Sequence, residues 1–177
     1  MSLALGVDPS LTCTGVALID TTTGDTSTWR VKTVSRGDTL AAKRARLREA
    51  IAGILAPVPP RLGVTVVEVP HSAHQFGAQN ERIALYWWLV DQLMARGPVV
   101  EVAPSQRAKL ATGRGNADKK AVLAAVRAAH PGVHVPDDNV ADALAMADAG
   151  AHWLGATRDY LPAQADVHAR IAWPPAA

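Results

Sequence analysis

Asp8, Glu68 and Asp142 are acids in surroundings where an acid is unusual. Asp8 closes the apolar run Leu3–Val7 and precedes Pro9-Ser10, which sets its carboxylate at a strand terminus beside a turn. Glu68 stands within Val64–Val69, where side chains alternate between two faces. A lone carboxylate among Val66, Val67 and Val69 is costly to bury without a partner or a metal ion. Asp142 follows Asp138 by four residues and Asn139 by three, so on a helix either pair projects from one face. Oxygen donors from two strands and a helix suit hard divalent ions such as Mg²⁺. Two such ions a few ångströms apart can activate a water and stabilise the leaving oxygen in phosphodiester cleavage. Each acid also has a plainer reading: Asp137 and Asp138 after Pro136 are good helix N-cap residues, and Asp8 is a turn former. Glu68 is the hardest to explain that way, and jointly the sites favour a metal cluster.

The elements that must carry these residues can be read from the hydrophobic pattern. Leu3–Val7 and Val16–Ile19 are strand-like, Thr21 to Asp25 supplies a turn, and a third strand is expected over Ser27–Val34. From about Thr39, Leu40, Leu47, Ile51, Ile54 and Leu55 recur at helical spacing until Pro57, Pro59 and Pro60. Val64–Val69 reads as a buried strand, roughly Gln79 to Ala95 as a long helix stopped by Gly97-Pro98, and Val99–Ala103 as a fifth strand. Ser105 can cap a short helix to about Ala111, Asn116 another to Ala129, and the Asp137-Asp138 pair a last one to about Trp153. The order βββαβαβααα implies an α/β domain over residues 1–155, with a five-stranded mixed sheet flanked by helices on both faces. Residues 156–177 show no sustained period and read as a C-terminal tail.

Composition narrows the class further. A chain of 177 residues with 49% apolar side chains fits one compact domain and is too apolar for a disordered one. A single cysteine, Cys13, excludes a disulfide framework and a thiolate zinc cluster. No apolar run is long enough for a membrane span and no signal peptide opens the chain, so a cytoplasmic location, with no membrane partner, is expected. Net charge is only +2, but it is unevenly distributed. Arg30 to Arg48 carries +6, Arg107 to Arg127 carries +5, and the remainder is −9. Such separation suits a nucleic-acid surface beside an acidic site, although solvated arginine-rich helix faces are as common. If both blocks bind phosphates, affinity should fall steeply with salt.

Four stretches resemble one family. Gly6-Val7-Asp8-Pro9-Ser10-Leu11-Thr12-Cys13-Thr14-Gly15-Val16-Ala17, Val66-Val67-Glu68, Gly113-Arg114-Gly115-Asn116-Ala117-Asp118-Lys119 and Ala141-Asp142-Ala143-Leu144-Ala145 resemble, in order and spacing, the signatures of RuvC-type Holliday junction resolvases. The resemblance spans roughly residues 3 to 153, and the length and the Ala103-Pro104-Ser105-Gln106 segment look more like bacteriophage or actinobacterial relatives. It implies an RNase H-like fold in a bacterium or its infected cytoplasm, a homodimer, and Mg²⁺- or Mn²⁺-dependent paired nicking of four-way junctions, with two ions per site. Position by position, Asp8, Glu68 and Asp142 match metal-binding carboxylates, and Lys119 matches a basic residue near the scissile phosphate. Gly113 and Gly115 suit a loop close to DNA, with Lys109, Arg114 and Lys120 as phosphate contacts. Two positions depart from the family. Asn139 replaces a carboxylate or His, so either its carbonyl oxygen or Asp138 completes the metal site; and Val69-Pro70-His71 replaces a junction-wedging aromatic, a role open to His71, His74 or Phe76.

Trp87 and Trp88 are adjacent on one helix, so one is expected in the core and the other in a dimer contact. Asn139 motivates an alternative, a junction- or nucleic-acid-binding module with weakened cleavage. A structured-RNA nuclease of the same fold is another. An actin-like or sugar-kinase ATPase would share the opening hairpin but needs two lobes, and 177 residues hold one.

Overall fold

The structure, a computed structural model, describes residues 3–70 and 78–175. Its opening apolar segments form a meander of β1 (Leu3–Asp8), β2 (Cys13–Asp20) and β3 (Thr26–Lys32), paired antiparallel. β3 ends earlier than expected because Cys13, the first residue of β2, already pairs with Lys32, so Val34 has no ladder to join and is exposed. α1 (Leu40–Leu55) follows, its Thr39 hydroxyl accepting from the Ala42 amide at 3.2 Å. β4 (Val64–Glu68) lies parallel to β1, and β5 (Val99–Val102), reached through α2 (Gln79–Met94), lies parallel to β4. The sheet order is β3-β2-β1-β4-β5, the five-stranded mixed sheet expected.

Strand alternation separates the two layers. Leu5, Val7, Val16 and Val67 face α1 and α2, where they meet Ile54, Leu85, Leu89 and Leu93. Ala4, Val64, Val66 and Val102 face the other way, toward α3 (Pro104–Thr112), α4 (Lys119–Ala129) and α5 (Asp138–Trp153). By the same alternation, Asp8 and Glu68 share a face with Ala4 and Val66. α5 is alanine-rich and lies almost directly on the sheet: a Cβ at Gly6 would collide with the Ala143 carbonyl, and one at Gly15 with the Asn139 carbonyl. These two glycines let the helix approach, and the approach brings Asp142 over the strand ends.

Two helix starts differ from expectation. α3 begins at Pro104, with the Gln106 side chain accepting from the Ala103 amide at 2.8 Å, rather than at a Ser105 cap. α4 is capped by Asp118, whose carboxylate accepts from the Ala121 amide at 2.8 Å, and Asn116 stays in the preceding turn. Trp87 is 61% and Trp88 36% exposed, so neither is in the core. The buried stripe of α2 runs through Leu85, Tyr86, Leu89, Val90 and Leu93, which turns both indoles outward. The final segment is not an unpacked tail. α6 (Pro162–Ala169) lies on α3, the Gln164 amide donates to the Leu110 carbonyl at 2.7 Å, Val167 and Ile171 are buried, and Trp173 stacks on Trp153. Among the described residues no helix is long and apolar enough to cross a membrane.

Candidate active site

Val7 pairs with Val67 across β1 and β4, so Asp8 and Glu68, the next residues on each strand, end side by side. The loop after Asp8 is braced from below. Ser10 and Thr14 exchange hydrogen bonds at 3.0 and 2.9 Å, and the Arg46 guanidinium donates to the Leu11 carbonyl at 2.6 Å and to Thr33 Oγ1 at 2.9 Å. From above, α5 contributes Asp142, which is 4% exposed. The Asp137 cap, its side chain accepting from Val140 N at 3.1 Å, fixes where that helix starts.

One further residue joins the three carboxylates. Arg107 reaches in from α3, its Nε donating to Glu68 Oε2 at 2.7 Å and its Nη1 to Asp142 Oδ1 at 2.6 Å. In the sequence Arg107 stands out only as one of the bases of the second charged block. What brings it here is the parallel register of Glu68 with Val102, which sets the first turn of α3 beside Glu68. Asp8 takes part in neither ion pair. Burial, reinforced by the charges of Glu68 and Asp142, pushes the Asp8 carboxyl up to about 8. Burial also raises Asp142, to about 7, against the pull of Arg107 and with the help of Glu68 and Asp138. Burial works against the charge of Arg107, but Asp142 and Glu68 outweigh it and hold the guanidinium protonated.

Three carboxylates share one buried cation, so the centre is short of positive charge, and its donors are hard oxygens. In chemistry it fits a divalent ion. In arrangement the guanidinium has taken one oxygen each of Glu68 and Asp142, and among the described residues no three carboxyl, imidazole or thiol groups already surround a single point. A cavity of about 370 Å³ opens beside Asp8 and Glu68, walled on its far side by Leu11, Leu85 and Tyr86.

The remaining expected residues lie around this centre rather than in it. Lys119 opens α4, is 74% exposed, and forms an ion pair with Asp138, one helical turn before Asp142. That hydrogen bond raises the Lys119 ammonium and lowers the Asp138 carboxyl. Asn139 lies where the α5 backbone meets Gly15. Gly113, with φ +77°, is the left-handed C-cap of α3, and Gly115 passes close to the Ser105 carbonyl. Arg114 and Lys120 are exposed. Lys109 instead turns to α6, where it pairs with Asp166 at 3.0 Å. In the first basic block, Arg30 pairs with Asp137 at 2.6 Å, Lys43 with Glu81 at 3.0 Å, and Arg46 braces the β1–β2 loop, so much of that charge is already engaged. His71, His74 and Phe76 lie outside the described residues.

A mixed sheet in this strand order, with acids ending its two central parallel strands and a third on the helix across them, defines an RNase H-like α/β protein with an acidic centre. The chain belongs to the RuvC family: a family model described as crossover junction endodeoxyribonuclease RuvC matches residues 4–149. The crossover junction endodeoxyribonuclease RuvC of Zymomonas mobilis is 33% identical over 167 residues, 88% of this chain and 94% of that protein. The fold is similar to that of Thermus thermophilus RuvC, with a TM-score of 0.61 at 21% identity over 86% of this chain and 93% of that one. A second Thermus thermophilus RuvC structure, in complex with a Holliday junction substrate, gives 0.56 at 23% identity over 87% and 94%.

Proposed function

We propose that the chain resolves Holliday junctions, and related branched DNA such as forks and flaps, by paired nicking. Asp8, Glu68 and Asp142 are the ligands for Mg²⁺ or Mn²⁺, two ions per site, with Asn139 or Asp138 completing the set. The observation that carries this reading is the convergence of those three carboxylates, from two strand ends and a helix, in a chain of the RuvC family. When bound, a divalent ion supplies the charge that lets a water lose its proton and a phosphate oxygen leave. The protein's own share is positioning. Buried backbone contacts fix Asp142 against the strand ends, and the braced β1–β2 loop fixes Asp8. The exposed Lys119 ammonium, steered by Asp138, meets a phosphate oxygen at the rim and stabilises charge developing there. Arg114 and Lys120 contact the DNA backbone where Gly113 and Gly115 allow close approach, while Lys109, held by Asp166, contributes less.

Paired nicking needs two centres on opposed strands, and a second copy of the chain supplies the other. The contact is α2, where Ile83, Trp87, Trp88 and Met94 are large exposed apolar side chains.

The test is cleavage of a labelled four-way junction, a fork and a linear duplex, side by side, in Mg²⁺ and Mn²⁺. Asp8→Asn and Glu68→Gln should each cut nicking by on the order of 10³-fold or more, with junction binding in Ca²⁺ retained. Nicking by Asp8→Asn at the wild-type rate would overturn the assignment. A second reading, a junction-binding module with weakened cleavage, is favoured by Asn139 and by the guanidinium lying on Glu68 and Asp142. Tight binding without nicking selects it, and structured RNA run alongside tests the RNA-cleaving form of the fold.

A further inference from the structure

Arg107 is the one feature of the centre that the proposed chemistry does not use. Its side chain is 13% exposed, and those of Glu68 and Asp142 are 14% and 6% exposed, so all three are largely withdrawn from water. One guanidinium spans the two carboxylates, donating through Nε to the first and Nη1 to the second. A planar fork of this kind fixes both the separation and the orientation of the groups it joins. Removing it would leave buried carboxylates facing one another without a counter-charge, a costly state. It occupies one oxygen of each carboxylate, Glu68 Oε2 and Asp142 Oδ1, and a hard cation bound between the two groups would compete with it for their negative charge.

We infer that Arg107 is a built-in counter-ion that holds the site assembled in the absence of metal and that a divalent ion must displace from Glu68 and Asp142 in order to bind. The inference rests on the reading above that Asp8, Glu68 and Asp142 hold the metal. The free protein then exchanges between a closed form, with the guanidinium on the carboxylates, and an open form able to take the ion. Apparent metal affinity is lowered by the fraction of protein that is closed. Arg107 sits in the first turn of α3, three residues after Pro104, and its side chain keeps 13% of its surface exposed.

Mn²⁺ binding to the DNA-free protein, followed by electron paramagnetic resonance of the free ion, tests the inference without any turnover. Arg107→Met should bind Mn²⁺ about tenfold or more tighter than wild type, and Arg107→Lys, which keeps one charge but not the fork, should lie between. Equal affinity in wild type and Arg107→Met, with binding lost in Asp8→Asn, overturns the counter-ion and leaves the metal-site reading standing. No binding in wild type or Arg107→Met removes both. If Arg107→Met does not fold, the wild-type protein gives the answer by ¹⁵N NMR of arginine Nε–Hε groups. The protected Arg107 resonance should disappear as Mg²⁺ is added, and its persistence in metal-saturated protein overturns the inference.

Discussion

The two faces of the sheet differ in how closely their helices approach it. Toward α1 and α2 the contacts are made by large side chains, Leu5, Val7, Ile54, Leu85, Leu89 and Leu93, which fill volume between layers. Toward α5 the contacts at Gly6 and Gly15 are made by the backbone itself, with alanine on the helix. Both faces stabilise the fold by burying apolar surface, but at Gly6 and Gly15 the second gives up side-chain volume to bring an acid within reach of two others. Both layers therefore hold the fold together, but only the α5 layer also sets the site, and the two can be perturbed separately.

The sharpest break comes from Gly6→Ala. The added methyl has the Ala143 carbonyl in its path, so α5 must lift, and we expect a loss of about 3 kcal/mol or more in urea unfolding together with loss of Mn²⁺ binding. Unchanged stability would mean that the helix is free to retreat. On the other face, Leu89→Ala should cost about 2–5 kcal/mol, because the side chain is fully buried and leaves a cavity. Its nicking rate per folded molecule, measured at low temperature, should match wild type. Should that rate collapse, the two faces are not independent. A pH dependence belongs to the same α5 face, through Asp8. Asp8 is raised to about 8 in the native state from an ordinary 3.8, so the metal-free fold keeps a proton that the unfolded chain has lost. Thermal stability without metal should therefore fall as pH rises from about 4 to about 8 and then level off, and Asp8→Asn should flatten much of that slope.

Most of the architecture was legible because it follows from local pattern. Strand runs, the proline stop after α1 and the aspartate cap of α5 are each written in a few consecutive residues. Glu68 was legible for a related reason, since an acid inside a valine run contradicts its surroundings. What escaped the sequence depends on registers between elements. Arg107 joins the site only because β5 pairs with β4 so that α3 starts beside Glu68, and nothing within Gln106-Arg107-Ala108 announces it. α6 escaped because its eight residues bury only Val167 within the helix, and its order comes from Gln164, Ile171 and Trp173 reaching other elements. The outward turn of both Trp87 and Trp88 was hidden by residue type: large aromatics suggest core, while the helical phase set by Leu85, Leu89 and Leu93 decides otherwise. The charge blocks were visible as counts, but Arg30, Lys43, Arg46 and Lys109 are committed to protein contacts that a count does not reveal.

The backbone contact at Gly6 and Gly15 also bears on how the protein responds to its surroundings. Side chains in a packed interior have rotamers and small voids, and heat and pressure act on a fold largely through them. Where main chain lies on main chain there are no rotamers to redistribute. The span from Asp142 to the strand ends should therefore be less compressible and less thermally expansive than the leucine-packed layer behind it, a gauge that keeps its length while that layer breathes.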